Sequence, residues 1–263
     1  MPVLRYINSP PLPGDFNMAA DFTLAQHLSS ETAVLRLYTW LKPTISLGFH
    51  QKSTDIDFDC CRQDGIDVVR RPTGGRAILH WQELTYCFIQ KASAGENGRS
   101  VLRRIYQSVH QALGEALAQM GVKLSYTSEN RKPQPHNPLC FASSAGSELE
   151  IEGKKVVGSA QRLIDNTILQ HGSIILGDKH LLMPRYFNLT EPQREKLKFH
   201  LTEKSAHLNL SDTAELRELI SQKIAAVFQL ELFRDELKAA EKLLIEENRQ
   251  SFALSGLSLG NRA

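Results

Sequence analysis

Residues 148 to 160 read Glu148-Leu149-Glu150-Ile151-Glu152-Gly153-Lys154-Lys155-Val156-Val157-Gly158-Ser159-Ala160. Leu149 and Ile151 alternate with Glu148, Glu150 and Glu152, the two-residue period of a strand with one face in water. Gly153-Lys154 supplies turn residues, so the chain is expected to return as a second strand carrying Lys155 to Ala160. A third strand over residues 167–176 contains His171-Gly172. These strands predict a sheet built from hairpins.

Outward from this hairpin, β-rich runs at residues 34–40, 44–49, 66–70 and 84–90, separated by Gly, Pro, Asp and Lys, predict further strands of a mixed sheet. A proline-rich opening (Pro10, Pro11, Pro13) gives way to Met18, Phe22 and Ala25 at helical spacing. The clearest helix spans residues 100–120, where Val101, Ile105, Val109, Leu113, Ala116 and Met120 recur every three or four positions and Gly121 supplies a stop. Residues 128–138 carry Pro133, Pro135 and Pro138 among polar neighbours and read as a loop leading to Cys140. Downstream, Asp212 and Glu215 form a candidate capping box before the apolar stripe of Leu216, Leu219, Ile220, Ile224 and Val227, and a charged helix is expected over residues 234–248. The reading is α+β: a mixed, largely antiparallel sheet flanked by helices, with a core over residues 15–190. Residues 191–263 then form a helical extension packed on the same domain.

The chain has 263 residues, 41% hydrophobic and 23% charged, with a net charge of +2. That is enough length for a sizeable core and too little basic excess to argue for nucleic acid. The amino-terminal residues lack a signal-like apolar run, and no later stretch is long enough for a bilayer, so a cytoplasmic protein without membrane partner is expected. Cys60, Cys61, Cys87 and Cys140 have neither disulfide-scaffold nor zinc-site spacing, and reduced thiols are the natural reading. Cys60 and Cys61 read as adjacent strand residues facing opposite ways, and Cys87 as core.

Three segments carry candidate chemistry. Cys140 precedes Lys155 by fifteen residues, and a thiol beside an ammonium is an activated nucleophile without a histidine partner. Taken singly, Cys140 reads as an inert buried thiol and Lys155 as a solvated strand residue. Lys154 faces the other way in the strand. Arg70-Arg71-Pro72-Thr73-Gly74-Gly75-Arg76-Ala77-Ile78-Leu79-His80 sits between two strands; its arginines suit a phosphate or carbonyl, and its glycines permit close backbone approach. Leu169-Gln170-His171-Gly172-Ser173 is the third, in which His171 is equally a core or a site histidine.

Together, Arg71 to Ala77, Lys155-Val156-Val157-Gly158-Ser159-Ala160-Gln161 and Leu169 to Ser173 resemble the biotin/lipoate protein ligase superfamily. Within it, Cys140-Phe141 and the Glu-Gly-Lys-Lys turn most resemble the LipM-type octanoyltransferases. The resemblance covers roughly residues 15 to 190. It implies transfer of an octanoyl group from octanoyl-acyl carrier protein to a lysine of a lipoyl domain, such as the glycine cleavage H protein, with no cofactor and no metal. Cys140 would carry the acyl thioester, and Lys155 would lower the thiol pKa and polarise the carbonyl. Arg71, Gly74, Gly75, Arg76, His80, Gly158, Ser159, Ala160, His171 and Gly172 would surround the acyl group. The ATP-dependent lipoate ligases have a third glycine and an acidic residue where this chain has Arg76 and Trp81, and LipB-type enzymes place a nucleophile where it has Ile168. A LipL-type amidotransferase and a noncatalytic lipoyl-domain or acyl-carrier binding protein are the remaining alternatives.

Overall fold

A computed structural model describes residues 2–29, 31–92, 95, 97–126 and 148–254. Twelve strands and six α-helices are formed by the described residues. The central sheet has six strands in the order β10-β11-β6-β2-β1-β12. These are β1 (Val3–Asn8), β2 (Thr32–Tyr38), β6 (Glu83–Lys91), β10 (Val157–Ile164), β11 (Thr167–Ile175) and β12 (Glu231–Asp235). β10, β11, β6 and β2 pair antiparallel, whereas β2 with β1 and β1 with β12 pair parallel.

One face of this sheet is covered by α3 (Gly98–Gln119) and α5 (Ala214–Phe228), which pack on each other. α3 buries Val101, Ile105, Val109, Leu113 and Ala116, the stripe that its periodicity predicts; each large apolar side chain so buried contributes roughly 1.5–3 kcal/mol. The other face carries α1 (Gly14–Gln26) and α6 (Ala239–Asn248), whose apolar residues join Val34, Tyr38, Cys87, Ile89 and Leu169. A second sheet, β4-β3-β5, is built from β3 (Thr44–Leu47), β4 (Asp67–Arg70) and β5 (Ile78–His80). Its core is continuous with α2 (Phe58–Gln63) and α4 (Glu191–Lys204). A third small sheet joins β7 (Ser125–Tyr126), β8 (Leu149–Ile151) and β9 (Lys154–Lys155).

The structure changes several local expectations. The hairpin turn is Glu152-Gly153 rather than Gly153-Lys154: their φ values are +51° and +75°, the left-handed pair that a two-residue hairpin needs to follow the strand twist. Glu148 and Glu150, expected to face water, are 1% and 5% exposed. Cys60 and Cys61 lie on α2 and not on a strand, because Asp57 caps that helix by accepting from the Cys60 amide. The cap of α5 is Thr213, whose hydroxyl accepts from the Leu216 amide, while Asp212 pairs instead with Arg217. The charged segment from residue 231 begins as β12, an edge strand of the main sheet, before α6 starts at Ala239. The expected loop at residues 128–138 lies outside the described residues.

Candidate active site

The pleat of β10 and β11 sorts the motif residues into two sets. Gly158 pairs with Ser173 and Ala160 with His171 in the antiparallel register, and these four turn toward the β3-β4-β5 sheet, since alternate strand residues share a face. There they line a narrow cavity of about 20 Å³ together with Arg71 and His80. Met18, Tyr38, Trp40, Ser46, Ile78, Thr85 and Gly172 complete its wall.

Ser159 belongs to the opposite set. Its hydroxyl lies 2.6 Å from the Tyr86 hydroxyl and 2.8 Å from Nε2 of His110 on α3. Gly172 is compelled by close approach: a Cβ there would stand 2.6 Å from the Gly158 carbonyl oxygen and 2.6 Å from the Tyr86 ring.

Arg71 is a buried clamp. Its guanidinium donates to the carbonyls of Gly74, Arg76 and Ser46 at 2.7, 2.7 and 3.0 Å, which shapes the Gly74-Gly75 loop around it. Gly74, Gly75 and Arg76 are therefore held beside the cavity through their backbone, and none of the three lines it. The tightest backbone approach in this region involves Gly48, where a Cβ would lie 2.0 Å from the Gly75 carbonyl oxygen.

Two histidines in the wall are each held from both sides. Nδ1 of His171 is 3.0 Å from Asp21 and its Nε2 2.6 Å from the Thr73 hydroxyl. Burial pushes His171 below the ordinary histidine range, only partly offset by Asp21, so the ring is neutral at neutral pH. Burial alone would raise Asp21, but the hydrogen bond from His171, the charge of Arg36 at 3.0 Å and the Tyr38 hydroxyl hold it below the usual carboxylate range. His80 places Nε2 2.7 Å from Ser46 and Nδ1 2.7 Å from Glu83. Glu83 also accepts from Ser173, from Thr85 and from the Trp40 indole. Burial would raise its carboxyl too, yet His80 and the hydroxyl donors hold it below the usual glutamate range.

Trp40 and His80 also border a wider cleft of about 780 Å³ that reaches Trp81, Asp178, His207 and Asp212. The inner cavity and the outer cleft thus meet at these two rings.

Lys155 and Lys154 divide as the strand period requires. Lys154 is half-buried and donates to the Thr202 carbonyl at 2.9 Å. Lys155 is 4% exposed and its ammonium donates to Glu148, itself 1% exposed. Lys155 is not among the residues that line the inner cavity. Cys140 lies outside the described residues. Of the other cysteines, Cys61 is pushed up to about 12 and Cys87 well above its ordinary value, both chiefly by burial, so neither is a thiolate near neutral pH.

Sequence reasoning missed Asp21, Trp40, Ser46, Glu83 and Glu148. Asn17 and Asp21 stand four apart on α1 among Phe16, Met18, Ala20 and Leu24, a polar pair that needs buried partners, and Glu83 follows His80 by three residues. Trp40 and Ser46 carry no such mark in the sequence.

A family model for the lipoyl protein ligase A/B catalytic domain matches residues 13–229, and the chain belongs to that family. It is 33% identical to the octanoyltransferase LipM of Carboxydothermus hydrogenoformans, over 93% of each chain. It is 35% identical to the octanoyltransferase LipM of Geobacillus kaustophilus, over 79% of this chain and 78% of that one. Among solved structures, the bipartite lipoate protein ligase of Thermoplasma acidophilum, studied with its E2 lipoyl domain, superposes with a TM-score of 0.76. That match is 17% identical, over 95% of this chain and 93% of that one, and the likeness concerns the fold.

Proposed function

We propose that this chain is an octanoyltransferase of lipoate biosynthesis, taking the acyl group from octanoyl-acyl carrier protein and delivering it to a lysine of a lipoyl domain through a thioester on Cys140. The observation that carries the reading is the convergence, on one cavity between the two sheets, of Arg71, His80, Gly158, Ala160 and His171 from the two motifs that flank the Cys140 segment and from the strand after it. Its free volume in this structure is about 20 Å³, room for about one water, so an acyl chain would enter only with the walls parted. An octanoyl group has six more methylenes than acetyl, and at about 0.8 kcal/mol per buried methylene an enclosing wall supplies roughly 5 kcal/mol of preference.

In the first half-reaction the Cys140 thiolate attacks the donor carbonyl, the tetrahedral intermediate collapses, and the phosphopantetheine thiolate departs and takes up a proton. Lys155 favours the thiolate and the developing oxyanion. In the second, the acceptor lysine loses one proton to become an amine, attacks the acyl-enzyme carbonyl and releases Cys140. The second proton lost from nitrogen balances the thiol that re-forms. The thioester donor is already activated, so the route calls for neither ATP nor metal.

Purified protein mixed with octanoyl-acyl carrier protein, without ATP, is expected to gain one octanoyl mass by intact-protein mass spectrometry, absent in Cys140→Ala and discharged by an added lipoyl domain. Transfer that needs ATP and free octanoate would overturn the thioester route. Octanoyl-H protein as the sole effective donor would point instead to amidotransfer between lipoyl domains.

A further inference from the structure

Polar residues make up much of the inner chamber's wall, yet their hydrogens turn away from it. Its floor is a rank of cross-strand neighbours: Tyr38 on β2 pairs with Thr85 on β6, Thr85 with Ser173 on β11, and Ser173 with Gly158 on β10. Glu83 stands two residues before Thr85 on the same face of β6. It takes the hydroxyl hydrogens of Thr85, at 2.6 Å, and of Ser173, and accepts from Nδ1 of His80 and from the Trp40 indole. Asp21 does the same for the Tyr38 hydroxyl at 2.8 Å and for Nδ1 of His171 at 3.0 Å. Burial would raise both carboxyls, but their donors hold them below the usual carboxylate range, so both are ionised and only accept. The other atoms are engaged too: Nε2 of His80 with Ser46, Nε2 of His171 with Thr73, and the Arg71 guanidinium with backbone carbonyls. Among the described residues, every polar side chain of the wall is thus committed to a neighbour, and neither carboxylate is part of the wall itself.

We propose that Glu83 and Asp21 are positioning residues for substrate selection: from behind the wall they draw its donors out of the chamber, so the enzyme selects an unsubstituted aliphatic chain and rejects one of equal length that carries a hydroxyl. This rests on the octanoyltransferase reading above, with the acyl chain in the inner chamber. A hydroxyl that enters such a chamber gives up water and finds no partner. The bonds of Glu83 to Thr85 and Ser173, and of Asp21 to Tyr38 and His171, stay within the main sheet and α1 and do not cross to the β3-β4-β5 sheet. Parting the two sheets to admit a chain therefore leaves them made. One oxygen of Glu83 serves His80, Thr85 and Trp40, and the other serves Ser173. In Glu83→Gln the amide nitrogen keeps most of these bonds by taking the second place, and the Ser173 hydrogen is released toward the chamber.

The test is a competition between octanoyl- and 7-hydroxyheptanoyl-acyl carrier protein for transfer to a lipoyl domain, without ATP, read by mass spectrometry of the acylated lysine peptide. The two acyl groups are of equal length, a terminal hydroxyl replacing a methyl. The full chain is used as wild type, Glu83→Gln, Ser173→Ala and the double variant Glu83→Gln/Ser173→Ala, each checked by thermal melting. Wild type is expected to favour octanoyl about a hundredfold, and Glu83→Gln to lower that ratio about tenfold, the worth of one new hydrogen bond to the probe. Ser173→Ala alone should stay within about threefold of wild type, and the double variant should return to that range because the freed donor is gone. A wild-type ratio near one, an unchanged ratio in folded Glu83→Gln, or a double variant that keeps the Glu83→Gln ratio overturns the proposal alone. No octanoyl transfer by wild type removes the octanoyltransferase reading and the proposal with it. If Glu83→Gln does not melt as a folded protein, Ser173→Ala decides: a ratio displaced beyond threefold overturns the proposal, since a committed hydroxyl offers the chain nothing.

Discussion

The indole of Trp40 and the imidazole of His80 stack with ring centres 4.0 Å apart and planes 15° apart. Among the described residues these two line both the inner cavity and the outer cleft, so the stacked pair is a wall between a narrow inner chamber and a wider space. Glu83 braces it, holding His80 at 2.7 Å and the indole nitrogen at 3.2 Å.

Removing that wall should lengthen the chamber. In Trp40→Ala the rate with dodecanoyl relative to octanoyl donor is expected to rise about tenfold or more, since a pocket that gains room for added methylenes gains their burial energy. Competition between the two donors, read by mass spectrometry of the acylated lipoyl domain, measures it. An unchanged ratio would show that the chain end lies elsewhere.

The two glycine motifs should respond oppositely to alanine. A Cβ at Gly172 meets the Gly158 carbonyl and the Tyr86 ring, whereas a Cβ at Gly74 meets nothing within 4 Å. Gly172→Ala is expected to cost about 1–3 kcal/mol by overpacking, and Gly74→Ala to remain within about 0.5 kcal/mol of wild type. Urea unfolding of both variants decides whether the first loss is specific.

Arg71 should matter to stability before chemistry. Arg71→Met leaves the buried Ser46 carbonyl and the half-buried carbonyls of Gly74 and Arg76 without their guanidinium donor, at an expected cost of about 1–3 kcal/mol. Arg71→Lys should recover only part of it, because an ammonium cannot span three carbonyls in a fixed fork. Denaturant midpoints that match wild type in both variants would contradict the clamp.

Acid should destabilise the protein through His180. Burial lowers this imidazole to about 4 in the folded chain, with His207 adding to the effect and the Gly177 carbonyl opposing it. Unfolded, it titrates near the ordinary 6.5, so between those values the unfolded state binds the extra proton. The contribution is whole above about pH 6.5, falls as pH drops toward 4, and changes no further below that; about 3 kcal/mol is at stake. The slope of unfolding free energy against pH between 4 and 6.5 should flatten in His180→Asn, and an unaltered slope would remove His180 as its source.

Much of the scaffold is legible in the chain because it rests on local period. The stripe from Val101 to Ala116 is a helix wherever it is placed, and the alternation around Leu149 and Ile151 is a strand. The order of Lys154 and Lys155 already assigns them to opposite faces. Burial of Glu148 and Glu150 was not legible, since an alternating strand looks the same whether its polar face meets water or another layer. Nor was the strand at residues 231–235, whose short charged run gains strand character only by lying parallel to β1.

What the sequence alone determined is many of the elements and the chemical types at Arg71, Lys155, Gly158 and His171, because side-chain period and turn chemistry act over a few residues. What only the tertiary structure decided is which of them share a cavity. Asp21 reaches His171 across 150 positions, Ser46 reaches His80 across 34, and Arg71 closes on its own loop. The pleat of β10 then turns Gly158 and Ala160 inward and Ser159 outward. Those choices depend on how two sheets pack over one another, and the packing is settled by burial summed over the whole chain rather than by any segment of it.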